Sequence, residues 1–564
     1  MGKRAEISKP DGLIRYAPLL IILLPLLTYF TVVKLDIVYF DDDTLILNNA
    51  ELLGQWSNIW KAFRTDAFFA NVSPYYRPLM NVSFILDTAI GGGSIAFYHF
   101  SGLLLHILTG LSLYRLLQIL RLTPATALAG SLVFALHPLM GHAILWIPAR
   151  GDLLETLFEI LSFIRFIRFL ETRSSWYLLL QVVTYAGAGF SKESGIILPV
   201  AFILFLFVKK EKIFDTKTLL IYGGWVLTAV LWYYLRYITI DHRPDNQRGL
   251  QSVLKNLPFI PEAVTSLFIP VNLQVTPSFS TLLTLTGILI IIALVWLIYK
   301  NRSNSHIRLI LFGMAWFLIF AAPNMFVRLS SASDNFEYLL HRIYLPSVGL
   351  LISLAAMIPE TKANLGNKTF TGMLAGLLIL FIALDIIQKP LYKDAHSFWN
   401  ASIQRAPDRS WFHYYYGRYY FSQKDFPAYE KMLLRTDSIS SYPNFHYQLA
   451  MIYFTEYKDY EKAFRYFRSS FTKGYSDQEA RDNFVLFCIE SSLDLFRNNK
   501  IQEAIARCKL ALENDPDNAV AAFNMGIYLI TAGNKESAAS MWMRSVASDR
   551  SEERRVGKEC RSRW

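Results

Sequence analysis

The chain has 564 residues, 53% of them hydrophobic, with 41 Phe, 31 Tyr and only 18% charged residues. A soluble chain of this size carries about 25% charged residues. The composition therefore argues against a soluble enzyme and a disordered protein, and three Cys cannot build a disulfide scaffold. It points to a membrane protein with a polar appendage. The net charge of +11 fits Lys- and Arg-rich inner loops better than a nucleic-acid stripe, because the basic residues are scattered among short loops.

A membrane span needs about 20 apolar residues. In chain order the candidates are Leu13–Val33, Phe97–Leu120, Ala125–Leu139, Leu153–Phe169, Trp176–Phe190, Gly195–Val208, Leu219–Tyr237, Leu282–Tyr299, Ile307–Ala322, Leu345–Ile358 and Thr371–Ile387. The first lacks a small-x-small cleavage site and reads as an uncleaved anchor. Pro258–Val271 is apolar but broken by Pro258, Pro261, Glu262 and Pro270. If it does not cross, the loops holding Arg115/Arg121, Arg165/Arg168/Arg173, Lys209/Lys210, Lys300/Arg302/Arg308 and Lys362/Lys368 all lie inside. The positive-inside rule thus favours about eleven spans, with this stretch interfacial or re-entrant. The membrane domain covers residues 1–390, with a long first outer loop at 34–96. The odd count puts the C-terminal domain outside.

Composition shifts near Lys389 to a charged, aromatic sequence of helical period. It carries a repeat of about 34 residues, the tetratricopeptide (TPR) period. In the clearest copy Ala522, Met525, Gly526 and Leu529 line one helix, Gly533 turns, and Ala538 and Trp542 line the next. About four repeats over 397–549 form an α-solenoid. Cys488 and Cys508 fall on inward positions and read as two buried thiols. The last run, RSEERRVGKECRSRW at 550–564, looks like a translated sequencing adapter. It carries Cys560 and three of the eleven net positive charges, and native sequence is expected beyond Asp549. The fold class is all-α: a polytopic membrane protein with a C-terminal TPR solenoid.

Polar clusters gather at the outer ends of the spans. Asp41, Asp42 and Asp43 follow the first span, and acidic residues at a membrane boundary are costly unless solvated, paired or functional. Asp43 could instead cap a short helix over Thr44–Asn48. Arg77 follows in Tyr76-Arg77-Pro78, suited to a carboxylate or a phosphate. Three more clusters coincide on this face: His137, His142, Arg150 and Asp152; Lys192 and Glu193; and Glu337, His341 and Arg342. Each alone reads as a loop or an ion pair. Together they suit a lipid-linked anionic group, a carboxylate supplying a base and Lys or Arg stabilising a phosphate leaving group. Asn71 and Asn81 stand in N-x-S sequons of the outer loop.

The chain resembles the transmembrane-and-TPR O-mannosyltransferase family (TMTC-like) of the GT-C glycosyltransferases. The resemblance rests on FDDDTLILNN (Phe40–Asn49), YYRPLMNVSF (Tyr75–Phe84), FYHFSGLLLH (Phe97–His106), FALHPLMGHAILWIPARGDLL (Phe134–Leu154), FSKESGI (Phe190–Ile196) and HRIYLPSVG (His341–Gly349), followed by the repeats. The family's Gly-Arg-Ala-Asp reads Ala149-Arg150-Gly151-Asp152 here, and its Cys-Lys-Glu reads Ser191-Lys192-Glu193. The resemblance implies an inverting transfer of a sugar, mannose in the family, from a polyprenyl-phosphate donor to a hydroxyl on the outer or lumenal face. Asp41 or Asp42 would be the catalytic base. Arg77, His137, Arg150, Asp152, Lys192, Glu193, His341 and Arg342 would form the substrate and phosphate site. No cofactor is required by this reading, although Asp41, Asp42 and Asp43 could hold Mg²⁺ or Mn²⁺. The acceptor, a protein Ser/Thr or a glycan, would be presented by the TPR domain. The expected location is a bacterial inner membrane with a periplasmic solenoid, or an endoplasmic-reticulum membrane with a lumenal one. A non-catalytic TPR adaptor and a transporter are the competing classes.

Overall fold

The computed structural model describes residues 12 and 14–561, apart from 70–72, 212–213, 241–249, 272, 275–276, 278, 327–337 and 476. The described residues form helices and loops, with no strand among them. They fall into two compact units, Met1–Pro407 and Asp408–Trp564.

The first unit is a membrane domain. Its apolar helices in chain order are α1 (Ile14–Lys34), α2 (Pro78–Gly91), α3 (Ile95–Ile119), α4 (Pro124–Leu136), α5 (Pro138–Leu145), α6 (Arg150–Thr172), α7 (Ser175–Ser191), α8 (Leu198–Lys209), α9 (Thr218–Thr239), α10 (Phe259–Phe268), α11 (Thr281–Lys300), α12 (Ile307–Ala321), α13 (Leu340–Met357) and α14 (Lys368–Gln388). Among the described residues, seven helices are long and apolar enough to cross a membrane, or eight if the α4–α5 pair is one span. That pair bends by 52°. Pro138 explains the break: it has no amide to donate and pushes the residue before it out of helical geometry, and His137 is extended at φ −71°, ψ 127°.

The expected spans at Leu153–Phe169, Trp176–Phe190 and Gly195–Val208 correspond to α6, α7 and α8, which are charged or short. Helix α6 has 23 residues, about 35 Å at 1.5 Å per residue. It sits at the centre of the unit with most of its length buried, and at its outer end Arg150 and Asp152 are paired inside the protein. Helix α10 covers ten residues, about half a span, too short to cross a membrane by itself. Its buried Glu262 is anchored by Ser280 N at 2.6 Å, Thr284 Oγ1 at 2.8 Å and Tyr338 OH at 3.1 Å.

Helices α12 and α13 pack face to face where Gly313 meets Gly349. A Cβ on either glycine would collide with the other's carbonyl oxygen. Small residues at such crossings let two backbones approach closely.

Helix α15 (Ala395–Arg405) follows α14 and belongs to the membrane unit, although the composition shift near Lys389 and the repeat register suggested a solenoid starting at Ser397. The fold divides later, after Pro407. The reason is a set of contacts described below, which tie this helix to the first outer loop.

The second unit is a stack of antiparallel helix pairs: α16 (Ser410–Ser422) with α17 (Phe426–Ile439), α18 (Pro443–Thr455) with α19 (Tyr460–Thr472), α20 (Gln478–Arg497) with α21 (Ile501–Asn514), and α22 (Ala519–Thr531) with α23 (Lys535–Arg561). Each pair turns on a left-handed residue: Lys424, Lys458 and Asn499 near φ 59°, 53° and 60°, and Gly533 at 88°. Asp425 and Asp459 cap the following helices through Ala428 N and Lys462 N. Ala522, Ala538 and Ala463 are fully buried where paired helices approach. Cys488 and Cys508 are buried free thiols, and burial pushes the Cys488 thiol up to about 12, so both are inert packing groups.

Replacing Gly349 by Leu should break the α12–α13 crossing. Overpacking of a close contact costs about 1–3 kcal/mol or more, and a lowered melting temperature of the purified protein in detergent is the expected outcome.

Candidate active site at the outer ends of the helices

The first outer loop turns back sharply after α1. Tyr39 and Asp41 adopt left-handed backbone angles, φ 58° and 72°. Such angles are uncommon outside Gly, and Asp is among the residues that tolerate them. Asp42 stabilises the turn. Its Oδ2 accepts Val38 N at 2.7 Å, and its Oδ1 accepts Phe40 N and Asp43 N at 3.0 Å each. Asp42 is thus the cap of the wide π-helical turn Asp43–Leu47, the part expected of Asp43. Burial pushes the Asp42 carboxyl up to about 7, opposed by the three amides. Asp41 is half-buried, with its carbonyl accepting Leu45 N at 2.8 Å.

Aromatic side chains clamp this loop from two directions. Trp146 donates its indole N–H to Phe40 O at 2.9 Å and stacks on the Phe40 ring at 5.2 Å. Trp399, on α15, donates to Val38 O at 2.7 Å and meets Phe40 edge-on at 5.8 Å. Asp36 N donates to Lys393 O at 2.9 Å.

Trp146 also leads to the charged groups. Its ring lies 4.9 Å from that of His341. His341 Nε2 is 3.7 Å from Asp152 Oδ2, and Lys192 Nζ is 2.6 Å from Asp152 Oδ1 and 3.8 Å from Glu155 Oε2. Beside them Arg77 grips Glu193, with Nε and an Nη each 3.0 Å from Oε2, and Tyr76 N donates to Glu193 Oε1 at 3.0 Å. Burial alone would raise the Glu193 carboxyl, but the Arg77 guanidinium holds it below the usual carboxylate range. Arg342 is half-buried and has no ion-pair partner among the described residues. Lys192 and Arg77 are already neutralised, so Arg342 is the cation at this site best able to meet an incoming anion.

The structure therefore gathers Asp41, Asp42, Arg77, Asp152, Lys192, Glu193, His341 and Arg342 along one connected line. Two expected site residues lie apart. Arg150 is 2% exposed and spends its guanidinium on Asp87 at 2.7 Å, Tyr98 O at 2.7 Å and Ser101 Oγ at 2.7 Å. It locks α6 to α2 and α3. His137 uses both ring nitrogens within the protein: Nδ1 accepts Leu139 N at 3.1 Å, capping α5, and Nε2 is 2.8 Å from Leu267 O. His142 lies 2.5 Å from Tyr392 OH through Nδ1. Asn81 is fully buried and donates to Asp66 O at 3.0 Å, so its sequon is closed to modification in the folded chain. Asn71 and Glu337 lie outside the described residues.

Among the described residues no three His, Cys, Asp or Glu side chains converge to hold a metal ion. Asp42, one of the carboxylates suggested for Mg²⁺ or Mn²⁺, has its oxygens occupied by amides.

Sequence reading missed Glu155, Asp87, Trp146 and Trp399. Glu155 follows Asp152 by three residues, one helical turn, and that spacing was available. Trp399 carried no signal, because an aromatic just before a repeat looks like repeat packing.

A protein O-mannosyl-transferase of Caenorhabditis elegans, F38B6.6, is 22% identical over 425 residues, covering 71% of this chain and 59% of the relative. TMTC2 of Mus musculus is 33% identical over 186 residues, 31% of this chain and 22% of the relative. TMTC2 of Homo sapiens is 30% identical over 242 residues, 38% and 28% respectively. The chain's curated homologues are TMTC-family protein O-mannosyl-transferases. It spans 59% or less of the length of these TMTC relatives. No family model matches the chain. A solved structure of YrrB, described as a TPR protein with an unusual peptide-binding site, matches 31% of this chain and 83% of its own, at 17% identity and a TM-score of 0.22.

The two kinds of arginine should separate on mutation. Arg150→Gln leaves Asp87 buried without its counter-charge, a loss of about 3–5 kcal/mol. Arg342→Gln should leave thermal melting near that of the unmodified protein. Melting curves of the two purified variants check both outcomes.

Proposed function

We propose that this chain is an inverting glycosyltransferase of the GT-C type. It moves a sugar, mannose by analogy with the relatives' names, from a polyprenyl-phosphate donor to a hydroxyl on a protein. The observation that carries the reading is the connected line from the Asp41–Asp42 loop through Trp146, His341 and Asp152 to Lys192, with Arg342 beside it. A proton acceptor and an anion site then lie at one membrane face, as transfer from a lipid phosphate requires.

Asp41 takes the proton of the acceptor hydroxyl as its oxygen attacks the anomeric carbon. The bond from that carbon to the phosphate oxygen breaks on the opposite side, and its electron pair leaves on the lipid phosphate. Arg342 stabilises that charge, and Lys192 adds a donor while Asp152 holds it in place. Asp42 and the two tryptophans keep Asp41 fixed, so little reorganisation is needed during the step. The scheme uses side chains alone. Charge asymmetry supports the outer side of the membrane for this chemistry. A solenoid adaptor without activity would leave Arg342, beside the paired charges around Asp152, with no ligand to meet.

Asp41→Asn should cut sugar transfer by about 10²–10⁴-fold, the usual scale of general-base help, with unchanged melting. Asp42→Asn should lower both activity and melting temperature, because an amide cannot accept all three loop N–H groups. A polyprenyl-phosphate-sugar assay on the purified variants decides. Full activity of Asp41→Asn would remove it as the base.

The solenoid's proposed role is to present a polypeptide acceptor. Removing residues 408–564 leaves α15 and its loop contacts in place. That truncation should impair transfer to protein more than hydrolysis of the donor, and equal loss of both would argue against the role.

A further inference from the structure

At the opposite ends of the same helices lies a second polar site. A cavity of about 400 Å³ opens between the C-terminal ends of α3 and α6 and the start of α7. Arg115, Arg165 and Arg168 line it together with Leu108, Leu161 and Leu180. The charge bias of the loops puts this end on the inner face.

The lining has a depth order. Leu108 and Arg115 are seven residues apart on α3, and Leu161 and Arg168 are seven apart on α6. Seven residues make nearly two turns, so each pair shares a face and is separated by about 10 Å along the axis. Both helices run toward the inner face, so the arginines form the rim and the leucines the floor, deeper in the bilayer. Ser112 and Tyr177 add hydroxyls to the lining.

The arginines are not balanced by the protein. Arg168 meets Glu171 at 2.9 Å, with both partly exposed. Arg115 has a long contact to Gln118 Oε1 at 3.4 Å, and Arg165 has no ion-pair partner among the described residues. Three guanidinium groups face one carboxylate. Simple orientation of a span needs only flanking charge; it does not require a cavity whose rim is cationic and whose floor is apolar. That gradient matches one ligand chemistry: a phosphate ester at the interface with a hydrocarbon chain running inward.

We propose that this cleft binds an anionic phospholipid of the inner leaflet, its phosphate held by Arg115, Arg165 and Arg168 and its chain lying over Leu108, Leu161 and Leu180. The site is separate from the outer-face chemistry and does not depend on it.

Native mass spectrometry of the purified full chain, titrated with phosphatidylglycerol or phosphatidylcholine, tests the proposal. One phosphatidylglycerol should bind at this site in preference to phosphatidylcholine. A cation at the membrane surface contributes about 1 kcal/mol to such binding, or roughly fivefold. Arg115→Gln and Arg165→Gln should each weaken phosphatidylglycerol binding about fivefold, while lipid-free melting stays unchanged. Arg302→Gln, on an inner loop away from the cleft, should leave binding as it was. Equal binding of the two lipids, no effect of the cleft variants, or an equal effect of Arg302→Gln would each overturn the assignment. Inorganic phosphate supplies the last arm. If it raises the melting temperature as far as phosphatidylglycerol does, the ligand is a free anion and the lipid proposal fails.

Discussion

A charge inside a membrane protein persists at tolerable cost only if a counter-charge or a set of hydrogen-bond donors is buried with it. That constraint organises the membrane unit. Arg150 reaches from α6 to Asp87 on α2, Lys192 reaches back from the end of α7 to Asp152 on α6, and Arg77 before α2 grips Glu193 after α7. Each pair joins segments distant in sequence, so the pairs set how α2, α6 and α7 meet at the outer face. The pairing is incomplete at one point: Arg342 brings positive charge to a cluster whose other cations are already matched, and the proposed anion site rests on that.

The Asp41–Asp42 loop meets a different demand. The carboxylate proposed as the base must be held as firmly on a loop as on a helix if it is to act without reorganisation. Here the loop's backbone carbonyls are taken up by indole N–H groups from two sides, and its amides by the Asp42 carboxylate. The left-handed angles at Tyr39 and Asp41 are strained for residues with a Cβ, and this network of contacts can offset that strain.

Much of this was legible from the sequence. Hydropathy located the seven or eight described helices that are long and apolar enough to cross, out of about eleven expected, and loop charge argued that Pro258–Val271 does not cross, in keeping with the ten-residue α10. The 34-residue period exposed the solenoid through Gly526, Gly533 and Ala538. The grouping of Asp152, Lys192 and His341 followed from their shared position at span ends. What sequence could not reveal was pairing. Arg150 and Arg342 are both arginines at the outer ends of helices; only the three-dimensional fold shows that one is consumed by Asp87 and the other is not. His137 was misleading for a related reason: a histidine before a proline reads equally well as a ligand or as a helix cap, and the deciding partner, Leu267 O, is 130 residues away. The boundary after Pro407 was hidden because Trp399 looks like any repeat aromatic until its indole is seen on Val38 O.

That late boundary bears on how such chains diversify. The eleven-residue helix α15 lies on the membrane side of that boundary and gives its Trp399 indole to the Asp41–Asp42 loop. Repeats added, lost or exchanged by recombination downstream of Pro407 keep that indole in the chain, whereas a crossover before Trp399 removes it from the loop.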